Sequence, residues 1–284
     1  MTDTLAGTVA LVTGSSSGIG AATARRLAAE GAAVALVARR RDRLEELAGS
    51  IRQADGTAHA VPADITEPPA AVGAVRETVG RFGRLDILVN NAGVMLLGPA
   101  LQTEIGEWDQ MVALNVQALL HLTHAALPYL TEAAGTSARR VADIVSISST
   151  AGRVARPGSS VYNLTKFGIN AFSESLRQEM IAHRVRVGVV EPGTVDTELV
   201  DHVRGDVREA ARQQVAGIEP LRPEDIADAV AYMVTRDRRV AVNEMLVRGR
   251  PDLVAGGPAA SAVTSARAAA WRPAASFRPE TQDA

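Results

Sequence analysis

Short apolar runs alternate with longer stretches of helical spacing along most of this 284-residue chain, and no other feature of the sequence restricts its fold as much. Runs of strand type lie near Thr8–Val12, Ala33–Val37, Ala58–Val61, Leu85–Val89, Ile144–Ile147, Val185–Val190 and Met245–Val247. The spacing between them predicts helices near Ile19–Glu30, Asp42–Gln53, Pro68–Phe82, Gly106–Leu130, Ser160–His183, Glu198–Gly217 and Pro223–Thr235. Strands this short and apolar are of the kind buried on both faces, and an intervening helix is the usual crossover between parallel neighbours. The chain is therefore expected to form an α/β fold, a doubly wound parallel sheet of about seven strands with helices on both faces. Ligands of such sheets bind outside the carboxyl ends of the strands. Asn90, Ser149 and Pro192 each fall just after a strand, which assigns all three to that edge. There is no internal repeat.

The first strand runs into a glycine loop. Thr8-Val-Ala-Leu-Val12 is followed, after Thr13, by Gly14, Ser15, Ser16, Ser17, Gly18, Ile19 and Gly20, and then by a helix whose Leu27 and alanines face a core. Glycines at a strand-to-helix turn permit left-handed backbone and let a pyrophosphate approach the free N–H groups of the helix N-terminus. The spacing is G-x-x-x-G-x-G rather than the usual dinucleotide fingerprint G-x-G-x-x-G. Alone, such a loop is more often a plain turn; its place directly after the first strand favours a nucleotide site.

Farther along, Tyr162-Asn-Leu-Thr-Lys166 begins thirteen positions after Ser149. Helix-compatible spacing from Ser160 to Arg177 puts Tyr162 and Lys166 one turn apart on one face. A free phenol has a pKa near ~10, and bringing it to ~7 takes about 4 kcal/mol of preferential stabilisation of the phenolate. One ammonium at ~4 Å supplies roughly that amount at an effective dielectric of ~20. The pair is expected to serve as a general acid and base. Ser146, Ser148 and Ser149 are all candidates for a hydroxyl beside the tyrosine.

Taken together, Thr13-Gly14-Ser-Ser-Ser-Gly18-Ile19-Gly20, Asn90-Asn91-Ala92-Gly93, Asn115, Ser149, Tyr162, Lys166 and Pro192-Gly193 resemble the short-chain dehydrogenase/reductase family from about Leu5 to Arg250. The loop differs from the T-G-x-x-G-x-x-G form of the epimerase and dehydratase branch. The segments Ala38–Arg40, Asn91–Pro99, Thr165–Ser173 and Glu191–Thr194 are similar to a narrower group. That group holds bacterial NADP-dependent hydroxy-acid (serine-type) dehydrogenases and the clavulanate-forming aldehyde reductase (clavulanic acid dehydrogenase) of actinomycetes. The resemblance implies a Rossmann-type sheet and a reversible NADPH-dependent carbonyl reductase. Such an enzyme passes hydride between nicotinamide C4 and a small aldehyde, ketone or hydroxy acid, without a metal.

The resemblance also implies residue roles. Tyr162 would protonate the carbonyl oxygen, and Ser149, chosen over Ser146 and Ser148 by its spacing to Tyr162, would hold that oxygen. Lys166 would lower the tyrosine pKa and hold the nicotinamide ribose. Asn115 would kink its helix around a water linking Lys166 to solvent. Implied cofactor contacts are Gly14, Ser15, Ser16, Ser17, Gly18, Ile19, Gly20, Asp64 (at the adenine edge), Ile65, Asn91, Ala92, Gly93, Tyr162, Lys166, Pro192, Gly193, Val195 and Thr197. Many family members end the last strand with a glycine-rich Val-Asp-Gly-Gly segment that packs into a tetramer. Val247-Arg-Gly-Arg-Pro251 departs from it, so a homodimer and a homotetramer both stand as expectations.

Two arginine clusters bear on specificity. Ala33-Val-Ala-Leu-Val-Ala38 leads into Arg39-Arg40-Arg41 with no acid before Asp42. NAD-binding proteins place Asp or Glu at the end of the second strand, where it bonds the adenosine ribose hydroxyls. Arginine there pairs instead with a 2′-phosphate through its planar fork. Cations at a helix start oppose the helix dipole unless an anion joins them. NADP(H) is the expected cofactor, with Arg39 the leading contact, Arg40 beside it, and Ser15 or Ser16 adding a hydroxyl. Arg153 and Arg156 lie between Ser149 and Tyr162. Either is able to grip a substrate carboxylate if it faces the site; the alternative is solvent or a neighbouring subunit.

Composition excludes other chemistries. A net charge of −2 leaves no electrostatic footprint for nucleic acid. With no cysteine, disulfides and thiolate chemistry are ruled out. His121 and His124 have no carboxylate or cysteine partner in the pattern, so no metal site is expected. No apolar run has the length of a bilayer span, and Thr2 to Gly7 lacks a signal pattern; a cytoplasmic enzyme with no membrane partner is expected. From Ala255 the chain becomes rich in Ala, Pro, Gly and Ser without periodicity, which predicts a disordered tail with Trp271 and Phe277 as the sole hints of docking. Residues 1–254 are expected to form a single domain holding both the nucleotide and substrate sites. The competing readings are a catalytically silent NADP-binding regulatory or scaffold protein, and an acyl-carrier-protein ketoreductase. The intact Ser149, Tyr162 and Lys166 set argues against the first; the second needs a basic docking surface.

Overall fold

The computed structural model describes residues 4–199, 203 and 219–249. Among them, β1 (Val9–Thr13), β2 (Ala33–Ala38), β3 (Thr57–Pro62), β4 (Ile87–Asn90), β5 (Ala142–Ile147), β6 (Val185–Pro192) and β7 (Glu244–Val247) form one parallel sheet in the order β3-β2-β1-β4-β5-β6-β7. Val9 pairs in register with Ala33 of β2, and Ala10 with Ile87 of β4. The chain winds outward from β1 to β3, then returns to build β4 to β7 on the other side. The connections after β1 and β4 therefore leave the sheet in opposite directions and open a crevice at its carboxyl edge. This is the Rossmann-type, doubly wound arrangement that the alternation of strands and helices predicts.

All five residues of β1 are buried, because alternate side chains point to opposite faces and both faces are covered. Helices α1 (Gly18–Ala29), α2 (Arg41–Gln53) and α7 (Pro223–Val234) cover one face, where Leu27, Leu44, Ile51, Ile226 and Val230 join Ala10, Val12 and Leu36 in one core. Helices α3 (Pro68–Phe82), α5 (Leu119–Thr136) and α6 (Ser160–Met180) cover the other, where Val75, Leu122, Leu130 and Leu176 join Leu11, Leu88 and Ile144. A third, smaller cluster of Val94, Met111 and Tyr162 with Met95, Leu96 and Trp108 lies apart from both cores.

Two expected helices differ from the structure, and a third falls largely outside the described residues. The single helix expected over Gly106–Leu130 is α4 (Ile105–Val112), a π-helical turn at Ala113–Ala118, and α5, which continues to Thr136. A π turn admits one extra residue per turn, and here it contains Asn115, whose side chain is occupied outside the helix. The helix expected to reach His183 ends as α6 at Met180 and tightens into a 3-10 turn over Ile181–His183, closed by Arg184 at φ 57°. The helix expected over Glu198–Gly217 lies outside the described residues except for Glu198, Leu199 and Val203, and the tail from Ala255 lies outside them entirely. No helix among the described residues is long and apolar enough to cross a membrane.

Two glycines test this packing in opposite directions. A Cβ on Gly20 would press on the carbonyl oxygen of Gly14 and lie 2.5 Å from Asn91 Nδ2, whereas one on Gly80 of α3 would meet nothing. Gly80→Ala is expected to stabilise the protein by up to ~1 kcal/mol through helix propensity, raising Tm by about 2–4 °C. Gly20→Ala is expected to cost about 1–3 kcal/mol by overpacking. Thermal unfolding of the two variants checks this; a Gly20→Ala protein as stable as wild type contradicts the close approach.

Candidate active site

The carboxyl ends of the strands open into a cavity of about 1660 Å³. A pocket for a single drug-sized ligand is ~300–1,000 Å³, so this one has room for a large cofactor and a second molecule. One end is polar, lined by Ser16, Ser17, Arg39, Arg40 and Asp64; the other is lined by Met95, Leu96, Leu97, Leu114, Ser149 and Tyr162.

The polar end is built on the junction of β1, β4 and α1. Gly14 and Gly18 have φ of 67° and 52°, the left-handed backbone expected of glycines in this turn. Asn91 and Ala92 donate their backbone N–H groups to Thr13 Oγ1 at 2.9 and 3.0 Å, and Asn91 Nδ2 donates to Thr13 O at 2.8 Å. The loop is thereby fastened to the end of β4. Gly14, Ser16, Ser17, Gly18 and Ile19 line the cavity at the start of α1, whose first N–H groups have no side-chain cap. Ala92, Gly93, Ile65, Pro192, Gly193, Val195 and Thr197 line it farther along. Two expected contacts are corrected. Ser15 is fully buried: its hydroxyl donates to Val12 O at 2.5 Å and accepts from Val37 N at 3.0 Å, tying β1 to β2 beneath the cavity. Gly20 does not line the cavity either; it provides the close packing of α1 against the loop.

Arg40, rather than Arg39, holds the loop hydroxyls. Its Nε and Nη2 donate to Ser16 Oγ at 3.1 and 2.9 Å, Nη2 donates to Ser17 Oγ at 2.8 Å, and Nη1 donates to Glu198 at 2.9 Å. Arg39 lines the cavity beside Asp64, whose carboxyl is held below its ordinary range by the Thr66 hydroxyl, against the opposing effect of burial. The Thr66 backbone N–H and the charge on Arg39 add to that lowering. A bare helix N-terminus, a glycine turn, two hydroxyls and two guanidiniums at one end of a long cavity fit the pyrophosphate and adenosine phosphate of a dinucleotide.

At the other end, α6 presents Tyr162 and Lys166 one turn apart. Both are buried, at 7% and 6% exposure. Ser149 caps a short 3-10 turn after β5, its Oγ accepts from Ala151 N at 3.0 Å, and its hydroxyl lies near enough to the Tyr162 phenol to lower its pKa. Ser146 and Ser148 are buried, and the Ser148 hydroxyl is turned to Lys166 O at 3.3 Å. The electrostatics differ from expectation. Burial pushes the Tyr162 phenol up to about 12, and the Ser149 hydroxyl opposes this only in part. Burial also pushes the Lys166 ammonium down to about 8. Lys166 Nζ donates to Ile147 O at 2.9 Å and stands 5.7 Å from the Tyr162 ring centroid. Loss of water is thus the dominant influence on both groups.

Several neighbours hold this arrangement in place. Asn115 does not line the cavity; its Oδ1 accepts from Val94 N at 2.8 Å, and its Nδ2 donates to Val94 O at 2.9 Å and Thr165 Oγ1 at 3.2 Å. Its side chain thus ties the turn after β4 to α6. Asn163, which the sequence reading passed over, donates from Nδ2 to Ala151 O at 2.6 Å and Val154 O at 3.1 Å. Arg153 turns away from the cavity: its Nε donates to the fully buried Glu191 at 2.6 Å, and it also pairs with Glu244. Asn170 Nδ2 donates to the other Glu191 oxygen at 2.7 Å. Arg156 does line the cavity, as does Glu198, which carried no signal in the sequence.

The match to known proteins agrees with this geometry. The short chain dehydrogenase family profile matches residues 8–208. A serine 3-dehydrogenase of Agrobacterium fabrum is 36% identical over 242 residues, covering 85% of this chain and 93% of that protein. A short chain dehydrogenase of Burkholderia cenocepacia, solved in complex with NADP, superimposes with a TM-score of 0.76 at 32% identity, over 87% of this chain and 99% of that one. A 3-ketoacyl-(acyl-carrier-protein) reductase of Brucella melitensis, solved with NADH, gives 0.77 at 30% identity, over 88% and 100%. A doubly wound parallel sheet, a glycine turn at its switch point and a serine–tyrosine–lysine cluster at the carboxyl edge thus coincide with likeness along nearly the whole described chain: the protein belongs to the short-chain dehydrogenase family and is an oxidoreductase.

Proposed function

We propose that the protein is an NADP(H)-dependent carbonyl reductase, reversible as an alcohol dehydrogenase, acting on small aldehydes, ketones or hydroxy acids. The observation that carries this reading is the placement of Ser149, Tyr162 and Lys166 together at the apolar end of a cavity whose other end holds Arg39, Arg40, Ser16 and Ser17. A bound nicotinamide supplies the hydride donor or acceptor. Tyr162 gives its proton to the carbonyl oxygen during reduction, and Ser149 holds that oxygen by a hydrogen bond. Lys166, anchored on Ile147 O, places a positive charge behind the phenol and serves as the hydrogen-bond donor to the ribose. Asn115 is a positioning residue, acting through Val94 and Thr165. In the same reading, the exposed Leu120 of α5 and Leu164 and Phe167 of α6 are the contact face for a second copy of the chain. NADPH consumption against a panel of aldehydes, ketones and hydroxy acids tests the activity directly; no turnover on any of them favours the silent NADP-binding alternative.

Tyr162→Phe is expected to lower turnover by ~10²–10⁴-fold while leaving the Kd for NADPH nearly unchanged, since only the transferable proton is removed. Lys166→Ala should damage both. Because burial lowers Lys166 to about 8, its charge is lost sooner than that of a free lysine as pH rises. The kcat/KM for reduction should therefore be flat below neutrality and decline as pH passes 8. Stopped-flow rates from pH 6 to 10 check the sign; a reduction rate that climbs through this range contradicts it.

The wild-type enzyme is expected to favour NADP(H) over NAD(H), as the absence of an acid after β2 and the placement of Arg39 and Arg40 favour a 2′-phosphate. Hydrogen bonds to a charged partner contribute ~1.5–3 kcal/mol, so Arg40→Ala should cut the NADPH-to-NADH ratio of kcat/KM by about 10- to 100-fold. Arg39→Ala should lower it less. An unchanged ratio in both variants removes the coenzyme assignment.

Of the two arginines near the substrate end, Arg153 is committed to Glu191 and Glu244, and only Arg156 lines the cavity. Arg156→Ala should raise KM for acidic substrates selectively and leave neutral aldehydes unaffected. Arg153→Ala should lower Tm by stranding the buried Glu191 carboxylate. Equal effects of Arg156→Ala on acidic and neutral substrates would refute a carboxylate contact.

A further inference from the structure

Glu198 lines the cavity at the end where Arg40 and Ser17 lie. Its Oε2 accepts from Arg40 Nη1 at 2.9 Å and its Oε1 from Arg43 Nη1 at 2.5 Å. These hydrogen bonds, Arg43 first, keep its carboxyl near 2, with a further contribution from the Ser17 hydroxyl. Two guanidiniums converging on one carboxylate, beside the Ser16 and Ser17 hydroxyls that Arg40 also holds, form the donor set of an oxyanion site. Structural adhesion does not account for it. Arg40, Arg43 and Glu198 are all more than two-fifths exposed, and exposed ion pairs add little to stability. The segment after β6 carries Glu198 there, with Thr197 against the glycine loop: a Cβ built on Gly18 would lie 3.1 Å from Thr197 Cγ2.

We propose that Glu198 is a specificity-determining residue that occupies Arg40 and Arg43 as an internal stand-in for the 2′-phosphate, weakening NADP(H) relative to NAD(H). This rests on the reading of Arg40 as a 2′-phosphate contact. Arg40 Nη1 and Arg43 Nη1 cannot serve the carboxylate and a phosphate in full at once. Two negative groups held on the same guanidiniums repel each other, so the phosphate has to displace Glu198. A coenzyme lacking the phosphate makes no such demand. The preference between the two coenzymes is thus a difference between an attractive arginine pair and a competing carboxylate, both supplied by this chain.

The test is calorimetric titration of NADP⁺ and NAD⁺ into the wild type, Glu198→Gln, Arg40→Ala and the double variant, with unfolding curves confirming that each is folded. Glu198→Gln keeps the shape and removes the charge. It is expected to tighten NADP⁺ about fivefold, to change NAD⁺ by less than about twofold, and to lose its gain when Arg40 is absent. Unchanged or weaker NADP⁺ binding in Glu198→Gln, equal tightening of both coenzymes, or a gain that persists without Arg40 overturns the proposal. If the wild type binds NADP⁺ no more tightly than NAD⁺ and Arg40→Ala changes neither, the 2′-phosphate site itself fails. An intact wild-type preference with an unresponsive Glu198→Gln overturns the role of Glu198 alone.

Discussion

The site depends on the knot between β1 and β4. Thr13 Oγ1 accepts two backbone N–H groups from the turn after β4, and the Asn91 amide returns to Thr13 O. These bonds hold together two loops that leave the sheet in opposite directions, where parallel pairing has already ended. Gly14 and Gly20 lie directly against Asn91, which leaves no room for side chains there. The helix start, the glycine turn and the substrate-side turn of Ala92 to Val94 are therefore one rigid piece. Its position is set by sheet register rather than by loop sequence.

Electrostatics divide the cavity into two regimes. At the Tyr162 end, burial dominates, raising the phenol and lowering the lysine despite their proximity. A proton donor results from desolvation more than from a charge pair. At the Arg40 end, the groups are near solvent, and the ion pairs of Arg40 and Arg43 with Glu198 are exposed and individually weak. One end of the cavity is governed by burial and the other by exposed charge.

A buried polar network supports the wall that carries Ser149. Glu191, fully buried at the end of β6, is satisfied by Arg153 and Asn170, while Asn163 takes up the carbonyls of Ala151 and Val154. The network links the loop after β5 to α6 and to β6, the elements that position Ser149, Tyr162 and Pro192. A buried carboxylate is costly without its partners, so these bonds specify one loop conformation more than they add stability.

The sequence alone determined the strand and helix alternation, the parallel sheet, the carboxyl edge as the site, and the pairing of Tyr162 with Lys166, while the family resemblance selected Ser149 among the neighbouring serines. Those features are written in local periodicity and in residue types with few substitutes, so they survive without knowledge of distant contacts. The tertiary structure decided what depends on meeting a partner far along the chain. Ser15 reads like Ser16 in the sequence, yet strand pairing buries it against Val12 and Val37. Arg39, Arg40 and Arg153 are alike as charges; which one faces a hydroxyl, a cavity or a buried glutamate follows from side-chain direction at a strand end. The direction of the Tyr162 and Lys166 shifts was also hidden, because spacing reports that two groups are near each other and only packing reports how little water remains around them.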